Sequence, residues 1–557
     1  MNHNIGIICL ALFLITVGCT SESESDLDPQ AKTVDKLLEK WDKPDFPGAA
    51  VAVLRDGEII YKQGYGSAQI EYEIPITPET IFHVASVSKQ FTAFAIAMLA
   101  DEEKLSINDD IRKYLPEVPD FEKTITIRHL VHHTSGLRDQ WEALAMAGWR
   151  LDDVITREQI LTMVRNQKEL NFSPGEKHVY CNTGYTLLAK IVARVSGQSF
   201  PAWTHKNIFE PLKMENTHFH DNHQMVVKNR AYSYAPKEGG GFEKRILSYA
   251  NVGATSLFTT VEDLLKWADN FYDNRVGGQA VLEQMGEQCV LNNGEKIEYS
   301  FALWNSTYRG LRMISHSGGD AGFRSHLALF PDQKFAVVVL SNLGTINTST
   351  LARQVAEVYL GDLMEEERQT TERSVARIDP SVYEIYEGKY QLEDGKELLL
   401  IKEDSRLMMI HPDFKDKVEL FPEAMARFFL KDADVQLRLQ INRDGRVERL
   451  LLNMNGKNIP GKMIQTEELD SAQIQELVGQ YYSIELDTRY RISEKEGNLV
   501  ALHFRHGEIP LVWKSGDLFF GKKWFFKKVK FTRNKNNKID GFLLSGGRVR
   551  NLRFIKQ

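Results

Sequence analysis

The stretch FAVVVLSN, residues 335–342, decides the fold because its first six side chains are all apolar. A strand that is apolar on both faces is covered on both faces, so we place it in the interior of a sheet. The run SHLALF at 325–330 precedes it across the turn PDQK, and the two runs predict a β-hairpin. A helical pattern, STLARQVAEVYLGDLM at 349–364, follows. Sheet and helix together indicate an α+β domain.

A second hairpin opens this domain at 48–66, GAAVAVLRDGEIIYKQGYG, where Asp56-Gly57 supplies the turn between two apolar strands. The sheet is therefore expected to be antiparallel. Between the two hairpins, the spacing of apolar residues predicts four helices. Their patterns occupy residues 88–105, 156–170, 183–197 and 260–272. The last begins with a capping box of Thr260 and Asp263.

Composition changes at residues 365–380, EEERQTTERSVARIDP, a charged connector without apolar periodicity. Beyond it helical patterns vanish, and short strands recur between turns rich in Gly, Asn and Asp, which is typical of small β-barrels or sandwiches. The segment at 387–411 is weakly echoed by the segment at 478–504. Two copies of one β domain are the economical interpretation.

The first residues form a targeting segment and not part of the fold. The apolar run IGIICLALFLITVGC at 5–19 has signal-peptide length and is too short to span a membrane comfortably. Its ending TVGC resembles the bacterial lipobox, with Thr16 in the place of the usual Leu, and implies lipidation of Cys19. Lipid chains would hold the protein to a membrane without spanning it. We expect an exported lipoprotein of the bacterial cell envelope, in the periplasm or at the outer membrane.

Composition indicates a folded body, since the 557 residues are 42% hydrophobic and 26% charged, with a net charge of −7. Nucleic acid is not an expected partner. After loss of Cys9 and acylation of Cys19, Cys181 and Cys289 remain, enough for one disulfide but too few for a thiolate metal cage.

The predicted segments are a signal peptide at 1–18, a tether at 19–33, the α+β domain at 34–365, a linker at 366–380, and β-barrel-like domains at 381–466 and 472–557.

Ser86 and Lys89 form the one S-x-x-K of the chain, within the apolar stretch HVASVSKQFTAFAIAML at 83–99. A spacing of three places both side chains on one helical face, at the first turn. Burial among apolar side chains favours the neutral form of an amine, which can then accept the hydroxyl proton of a neighbouring serine. The pattern indicates a nucleophilic serine beside its base. The alternative is a lysine that extends from a core helix to solvent.

Tyr180 and Asn182 lie in FSPGEKHVYCNTGYTLLAKI at 172–191, between a Pro-Gly turn and a helical pattern. A loop in that position can direct both side chains into a cleft. A tyrosine beside a cationic lysine can serve as a general base, and an asparagine can donate to and accept from a substrate amide. A tyrosine at the edge of the core and an asparagine turn cap are the alternatives.

His316, Ser317 and Gly318 open the strand in ISHSGGDAGFRSHLALF at 314–330. Small residues there would let a substrate backbone lie along the strand edge. Taken alone, His316 is more typical of a surface histidine than of a catalytic one.

The motifs S-x-x-K, Y-x-N and H-x-G, in this order, resemble those of the penicillin-recognising serine hydrolases. That group includes class C β-lactamases, D,D-peptidases, D-aminopeptidases and related esterases. The resemblance covers residues 34–360 and includes the phrases LVHHTSGL, FSPG and IFEPLKMENTHF. It implies a β-lactamase/transpeptidase-like fold, in which helices flank an antiparallel sheet beside a helical subdomain. It also implies hydrolysis through a covalent acyl-enzyme, without a metal or an organic cofactor.

The resemblance further implies a role for each residue of the motifs. The implied site consists of Ser86 as acylated nucleophile, Lys89 and Tyr180 as groups that handle its proton, Asn182 as the residue that orients the substrate amide, His316 and Gly318 as the counterpart of the K-T-G box, and the N–H groups of Ser86 and Gly319 as oxyanion hole.

The departure from K-T-G bears on the substrate. A lysine supplies a permanent cation for a β-lactam carboxylate, whereas a histidine is mostly neutral at pH 7. An H-x-G box is similar to that of D-aminopeptidases, which also carry two trailing β-barrel domains. We expect the substrates to be peptides, amides or esters that contain D-amino acids and come for example from the cell wall. A class C-like β-lactamase, an esterase and a non-catalytic envelope-binding relative are the alternatives, and the oligomeric state stays open.

Other patterns suggest competing functions. HFHDNH at 218–223 approaches the H-x-H-x-D-H signature of metallohydrolases, but its acid stands one position early, which favours a polar loop. HLVHHTSG at 129–136 lacks the Glu of H-E-x-x-H and is typical of a helix end. The basic tract at 521–538 alternates like a half-buried strand, with a surface that binds an envelope polymer as the alternative. Arg324 is either an anchor for a substrate carboxylate or a solvent-facing strand residue.

Overall fold

The computed structural model describes residues 28–366, 375–376, 378–403, 406–442, 447–464 and 469–557. The predicted signal peptide, Cys19, most of the tether and much of the linker lie outside the described residues. Among the helices that are described, none is long and apolar enough to cross a membrane. Export and lipidation therefore stay predictions.

The described chain forms two compact units. The first unit contains the residues up to Gln140, together with Arg150–Arg165 and Phe172–Met364. The second contains Trp141–Trp149, Asn166–Asn171 and the described residues from Glu365 onward. Within the second unit, the Glu142 carboxylate accepts hydrogen bonds from three consecutive backbone N–H groups at 547–549.

The elements of residues 28–366 alternate between helices and short strands. The helices are α1 Pro29–Leu38, α2 Ser88–Asp101, α3 Ile127–Val131, α4 Gln140–Met146, α5 Arg157–Asn166, α6 Asn182–Ser196, α7 Phe200–Thr204, α8 Val261–Asp273, α9 Gly278–Met285 and α10 Thr348–Leu360. The strands are β1 Ala49–Arg55, β2 Glu58–Tyr65, β3 Ser67–Gln69, β4 Ile74–Pro75, β5 Phe82–His83, β6 Ile155–Thr156, β7 His218–Phe219, β8 Ser233–Pro236, β9 Phe242–Arg245, β10 Tyr249–Ala250, β11 Leu257–Thr259, β12 Cys289–Val290, β13 Lys296–Ile297, β14 Trp304–Tyr308, β15 Leu311–Asp320, β16 Phe323–Phe330 and β17 Phe335–Ser341.

A six-stranded antiparallel sheet with the order β14-β15-β16-β17-β1-β2 is the centre of the first unit. Both predicted hairpins are present, as β1–β2 and β16–β17. Strand β17 lies between β16 and β1 and is buried at every residue, which confirms its predicted interior position. Its apolar side chains are covered on both faces because α10 packs against it and α8 also contacts it.

Alternate residues of the central strands enter one core beneath α1 and α10. Val51 and Val53 of β1 contact this core, and so do Val337 and Val339 of β17. The helix α10 adds Leu351 and neighbouring apolar residues to it. The sheet is thereby fixed as a rigid platform, and its strand β15 carries the H-x-G motif at its C-terminal end.

Two closed eight-stranded barrels make up the C-terminal region and confirm the predicted pair of β domains. The first contains β18 Gly388–Leu392, β19 Glu397–Glu403, β20 Arg406–Ile410, β21 Val418–Ala424, β22 Arg427–Phe429, β23 Val435–Ile441, β24 Val447–Met454 and β25 Lys457–Met463. The second contains β26 Gly479–Ser483, β27 Thr488–Lys495, β28 Asn498–His503, β29 Gly507–Ser515, β30 Leu518–Lys523, β31 Phe526–Arg533, β32 Ile539–Ser545 and β33 Leu552–Lys556.

The expectation that helices are absent from this region is wrong, because a short helix precedes each barrel: α11 Tyr383–Tyr386 and α12 Ser471–Leu477. The helices are equivalent in the two copies. The Tyr390 hydroxyl donates to the Tyr386 carbonyl at 2.9 Å, and the Tyr481 hydroxyl donates to the Leu477 carbonyl at 2.7 Å. A tyrosine four residues after the end of the helix thus caps it in both repeats.

The basic tract in the second barrel is a strand with one buried face, as predicted. Phe526, Val529 and Phe531 of β31 are buried, whereas Lys528 and Lys530 are exposed. Phe526 and Phe531 contribute to the barrel core, whereas Trp524 of the same tract is exposed, so the alternation within the strand has a structural cause.

Candidate active site

Ser86 lies on a short 3₁₀ turn that precedes helix α2. The turn covers Ala85–Val87, and Ala85 has a φ of 48°, a left-handed conformation that is strained for a residue with a side chain. Ser86 is the one residue between positions 81 and 97 that is not buried. The strained turn therefore presents a single hydroxyl group to the cleft at the start of a buried helix.

The Lys89 amine is buried completely and faces the Ser86 hydroxyl, with Nζ 3.1 Å from Oγ. Nζ also donates to Asn182 Oδ1 at 2.8 Å and to the Ala254 carbonyl at 2.6 Å. A neutral amine has two N–H bonds and one lone pair. In that form the two carbonyl oxygens can accept the N–H bonds, which would leave the lone pair to face the Ser86 hydroxyl.

Two aromatic rings cover the Lys89 amine. Nζ lies 4.9 Å from the ring centroid of Tyr180 and 5.6 Å from that of Tyr185. Such rings exclude water and attract a positive charge. They therefore stabilise the ammonium that forms when the amine takes up a proton.

The loop that carries Tyr180 is held by a buried histidine. The Cys181 backbone N–H donates to His133 Nδ1 at 3.1 Å, and the rings of His133 and Tyr180 lie 4.1 Å apart between centroids. On its other side, His133 Nε2 is 3.1 Å from the Tyr299 hydroxyl. The histidine thereby fixes the Tyr180 ring against Lys89.

Asn182 is the first residue of α6, and Asp139 holds both its backbone N–H and its side-chain amide. Asp139 Oδ2 accepts from the Asn182 backbone N–H at 2.7 Å and from its side-chain Nδ2 at 2.8 Å. The first bond satisfies a helix N–H that lacks a partner within the helix. The second turns Oδ1 toward Lys89, so the buried carboxylate determines which way the amide points.

We expect Asp139→Ala to lower kcat/KM by about 10- to 100-fold, because Asn182 would lose the orientation that serves both Lys89 and the substrate. Two buried N–H groups would also lose their acceptor, at a cost of about 1–3 kcal/mol in the free energy of unfolding. Steady-state kinetics and thermal melting measure these effects. Asp110→Ala removes a similar backbone hydrogen bond, to the N–H of Arg112, and is the control. Unchanged activity in Asp139→Ala would contradict this role.

His316 is buried, and its hydrogen bonds assign one neutral tautomer. Nδ1–H donates to the Ser317 carbonyl at 2.7 Å, which leaves Nε2 as an acceptor 3.4 Å from the Tyr299 hydroxyl. Burial and, to a smaller extent, the nearby Lys89 amine lower the pKa of His316 to about 3. The residue in the position of the K-T-G lysine therefore supplies no cation at neutral pH.

Strand β15 packs directly at Gly318 against the turn Ala85–Val87, which carries Ser86 and is called the nucleophile turn below. A Cβ atom at this position would lie 2.3 Å from the Val84 carbonyl oxygen, 2.4 Å from Ser325 Oγ and 3.0 Å from the Ser86 backbone nitrogen. Glycine alone permits this approach. At Gly319 a Cβ would meet nothing closer than 3.6 Å, so that position is open.

The structure thus brings the predicted residues together around Lys89 and the Ser86 turn: Ser86, Lys89, Tyr180, Asn182, His316, Gly318 and Gly319. Sequence reasoning missed Asp139 and Tyr299, and it interpreted His133 as part of a helix end. Asp139 and Tyr299 stand in no recognised motif, whereas His133 lies in the phrase LVHHTSGL that contributes to the family resemblance. His133 does follow α3 with a φ of 56°, and this positive φ at a histidine is the structural sign of its special position.

The competing sites do not assemble. In HFHDNH, His218 Nε2 is 3.4 Å from His220 Nδ1, and no group of three or more His, Cys, Asp or Glu side chains in the described ranges could hold a metal ion. Cys181 and Cys289 are buried and unbridged. Arg324 Nη1 donates to the carbonyls at 321 and 323, so the guanidinium is hydrogen-bonded to the backbone of the adjacent β15–β16 turn.

A profile of the Beta-lactamase family matches residues 32–359, more than half of the chain. The chain belongs to the beta-lactamase family. The family resemblance and the predicted fold are thus confirmed. Among relatives, penicillin-binding protein 4* of Bacillus subtilis (strain 168) is 28% identical over 420 residues, which cover 72% of this chain and 92% of that protein. The D-aminopeptidase of Gluconobacter oxydans (strain 621H) is 25% identical over 462 residues, 82% of this chain and 83% of that one.

Solved structures share the family fold. The octameric penicillin-binding protein homologue from Pyrococcus abyssi has a TM-score of 0.57 at 24% identity, and the likeness covers 77% of this chain and 99% of that one. The D-amino acid amidase from Ochrobactrum anthropi SV3 has a TM-score of 0.52 at 20% identity, and the likeness covers 60% of this chain and all of that one. At these identities the likeness concerns the fold of this beta-lactamase family member.

Proposed function

We propose that this protein is a serine hydrolase that forms a covalent acyl-enzyme on Ser86. One observation carries the proposal: a completely buried amine, Lys89 Nζ, lies 3.1 Å from the hydroxyl of Ser86, the one residue of positions 81–97 that is not buried. A serine hydroxyl is a weak nucleophile until a neighbouring base removes its proton. Membership of the beta-lactamase family supports the same reading of the pair.

In the proposed reaction, Ser86 Oγ attacks the carbonyl carbon of the substrate while its proton passes to Lys89 Nζ. The negative charge that develops on the carbonyl oxygen is received by the backbone N–H groups of Ser86 and Gly319. The bond to the leaving group then breaks, and the leaving group takes a proton from Lys89, with Tyr180 beside it. Water attacks the acyl-enzyme by the reverse sequence and restores the Ser86 hydroxyl.

We propose further that the acyl donors are amides, peptides or esters of D-amino acids. Two comparisons support this class: a relative is named D-aminopeptidase, and 82% of this chain aligns with it, so the match extends into the C-terminal region. A structural neighbour is named D-amino acid amidase. The neutral His316 supports it too, because a site without that cation loses the attraction that a β-lactam carboxylate would feel.

Turnover of a substrate panel by the purified wild-type protein tests the proposed function. The panel consists of D-alanine and L-alanine p-nitroanilides, a D-Ala-D-Ala peptide, p-nitrophenyl acetate and nitrocefin. We expect kcat/KM to be highest for a D-aminoacyl substrate and lowest for nitrocefin. Turnover confined to nitrocefin would overturn the D-amino-acid class, and no turnover or acylation by any member would overturn the hydrolase.

We also propose, from the TVGC sequence that ends at Cys19, that the protein is exported and anchored to the cell envelope by lipid. The test is mass spectrometry of the mature N-terminus from membrane fractions. A diacylated Cys19 at the N-terminus would support the anchor, and a mature chain that begins elsewhere would exclude it.

A further inference from the structure

We propose that Asp320 binds the free ammonium group of the acyl residue, so that the enzyme selects substrates whose amine is unblocked. The inference rests on the proposed acyl-enzyme at Ser86 and adds a subsite to it. Asp320 is the last residue of β15 and lies outside the three motifs.

The position of Asp320 follows from the strand that carries it. Gly318 contacts the nucleophile turn, and Asp320 stands two residues further along β15, so both face the same side of the sheet. On that side the Asp320 carboxylate reaches His83, which precedes Ser86 by three residues. The carboxylate therefore lies beside the strand that leads into the Ser86 turn.

Two buried groups hold one oxygen of this carboxylate. Asp320 Oδ2 is 3.1 Å from His83 Nε2 and accepts from the Thr255 hydroxyl at 2.5 Å. Thr255 follows Ala254, whose carbonyl accepts from Lys89. The Asp320 side chain is thus tied, through two adjacent residues, to the same backbone segment that positions the catalytic amine.

The second oxygen is available to a ligand. Both side-chain hydrogen bonds converge on Oδ2, and in the described part of the chain Oδ1 receives none. The Asp320 side chain keeps 16% of its surface exposed, whereas that of His83 keeps none. The carboxylate is therefore fixed at one oxygen and open at the other, which is the arrangement of a preorganised acceptor.

No arginine or lysine of the described residues lies within 4 Å of this carboxylate; its single ion-pair partner there is His83. Arg324 lies near enough for its charge to interact with Asp320, but it forms no ion pair with this carboxylate, and its Nη1 donates to the carbonyls of Ala321 and Phe323. A carboxylate withdrawn from water without an ion-paired arginine or lysine is costly, and a cationic ligand offsets that cost. An ammonium group on the acyl residue has the required charge, size and hydrogen-bond donors.

The test compares two substrates that differ in one group: the p-nitrophenyl ester of D-alanine with its amine free, and the same ester with its amine acetylated. We expect wild type to prefer the free amine by at least about tenfold in kcat/KM, since charge-assisted hydrogen bonds are the stronger ones. Asp320→Asn keeps the shape and an acceptor for Thr255 but removes the charge. It should abolish the preference by raising KM for the free amine, and leave the acetylated ester unchanged.

Two further variants complete the experiment. Asp332→Asn removes an exposed carboxylate from the turn between β16 and β17 and should alter neither substrate. Asp320→Ser replaces Asp320→Asn if the latter does not fold, as judged by circular dichroism, with the same expected loss of preference.

Three results would overturn the assignment. Equal turnover of the two esters by wild type would do so while the hydrolase proposal stands. An equal loss of both activities in Asp320→Asn would show that Asp320 supports the nucleophile turn and not the amine. If neither ester acylates wild type, the subsite falls, and the substrate panel decides whether the proposed function falls with it.

Discussion

Substituting alanine for Ser86 is expected to lower kcat by about 10⁴- to 10⁶-fold, the range over which removal of a nucleophile acts in serine hydrolases. Without Oγ there is no atom to carry the acyl group, and the oxyanion donors and Lys89 cannot replace it. Labelling by a fluorescent fluorophosphonate should disappear as well. Both effects are measured on protein whose melting temperature is compared with that of wild type.

The fold should tolerate this change because Ser86 lies on the surface of the cleft and its described side-chain hydrogen bond is the one to Lys89. Ser88→Ala is the matched control: its buried hydroxyl accepts from the Leu257 N–H at 3.0 Å, so it should lose stability and keep its labelling. A Ser86→Ala protein that is still labelled and still turns over substrate would show that the nucleophile lies elsewhere.

Lys89→Met is expected to lower kcat by about 10²- to 10⁴-fold, the contribution of a positioned general base. Methionine matches the length of the lysine stem and suits the buried site, but it cannot accept a proton. Two buried acceptors, Asn182 Oδ1 and the Ala254 carbonyl, would lose their donor. A fall in stability of a few kcal/mol therefore accompanies the kinetic effect, and assays belong well below the melting temperature.

Lys89→Arg separates the loss of charge from the loss of a base. An arginine keeps a cation and hydrogen-bond donors but is not deprotonated in proteins, so we expect it to be as inactive as Lys89→Met. The pH dependence of kcat/KM is a second measurement. Because the pKa of His316 is about 3, this histidine stays neutral between pH 5 and 9 and contributes no limb to the wild-type profile. Substantial activity in Lys89→Arg would contradict proton transfer to Lys89.

Much of the fold could be predicted from the sequence because its signals are local. Six consecutive apolar side chains open the stretch at 335–342 and predict a strand in the interior of a sheet. Asp56-Gly57 predicts the turn of the first hairpin. The repeat of strands and turns beyond residue 380 likewise predicts two equivalent barrels. The short helices α11 and α12 escaped prediction because four to seven residues carry too little periodicity.

The site was predictable where spacing along one element decides the geometry, as for Ser86 and Lys89, which are three residues apart. It was not predictable where distant segments meet. Asp139 lies 43 residues from Asn182 in the chain, and Tyr299 lies 166 from His133. No local pattern encodes such pairs. Their hydrogen bonds follow from tertiary packing, which positions side chains that look ordinary in the sequence.

The proposed mechanism depends on removal of the Ser86 hydroxyl proton by the buried Lys89 amine. Its most direct test is the rate at which a fluorophosphonate acylates the wild-type protein and Lys89→Met, with the modified peptide located by mass spectrometry. We expect an adduct on Ser86 in wild type and a rate at least about 100-fold lower in Lys89→Met. An adduct on any other residue, or equal rates in the two proteins, would contradict it.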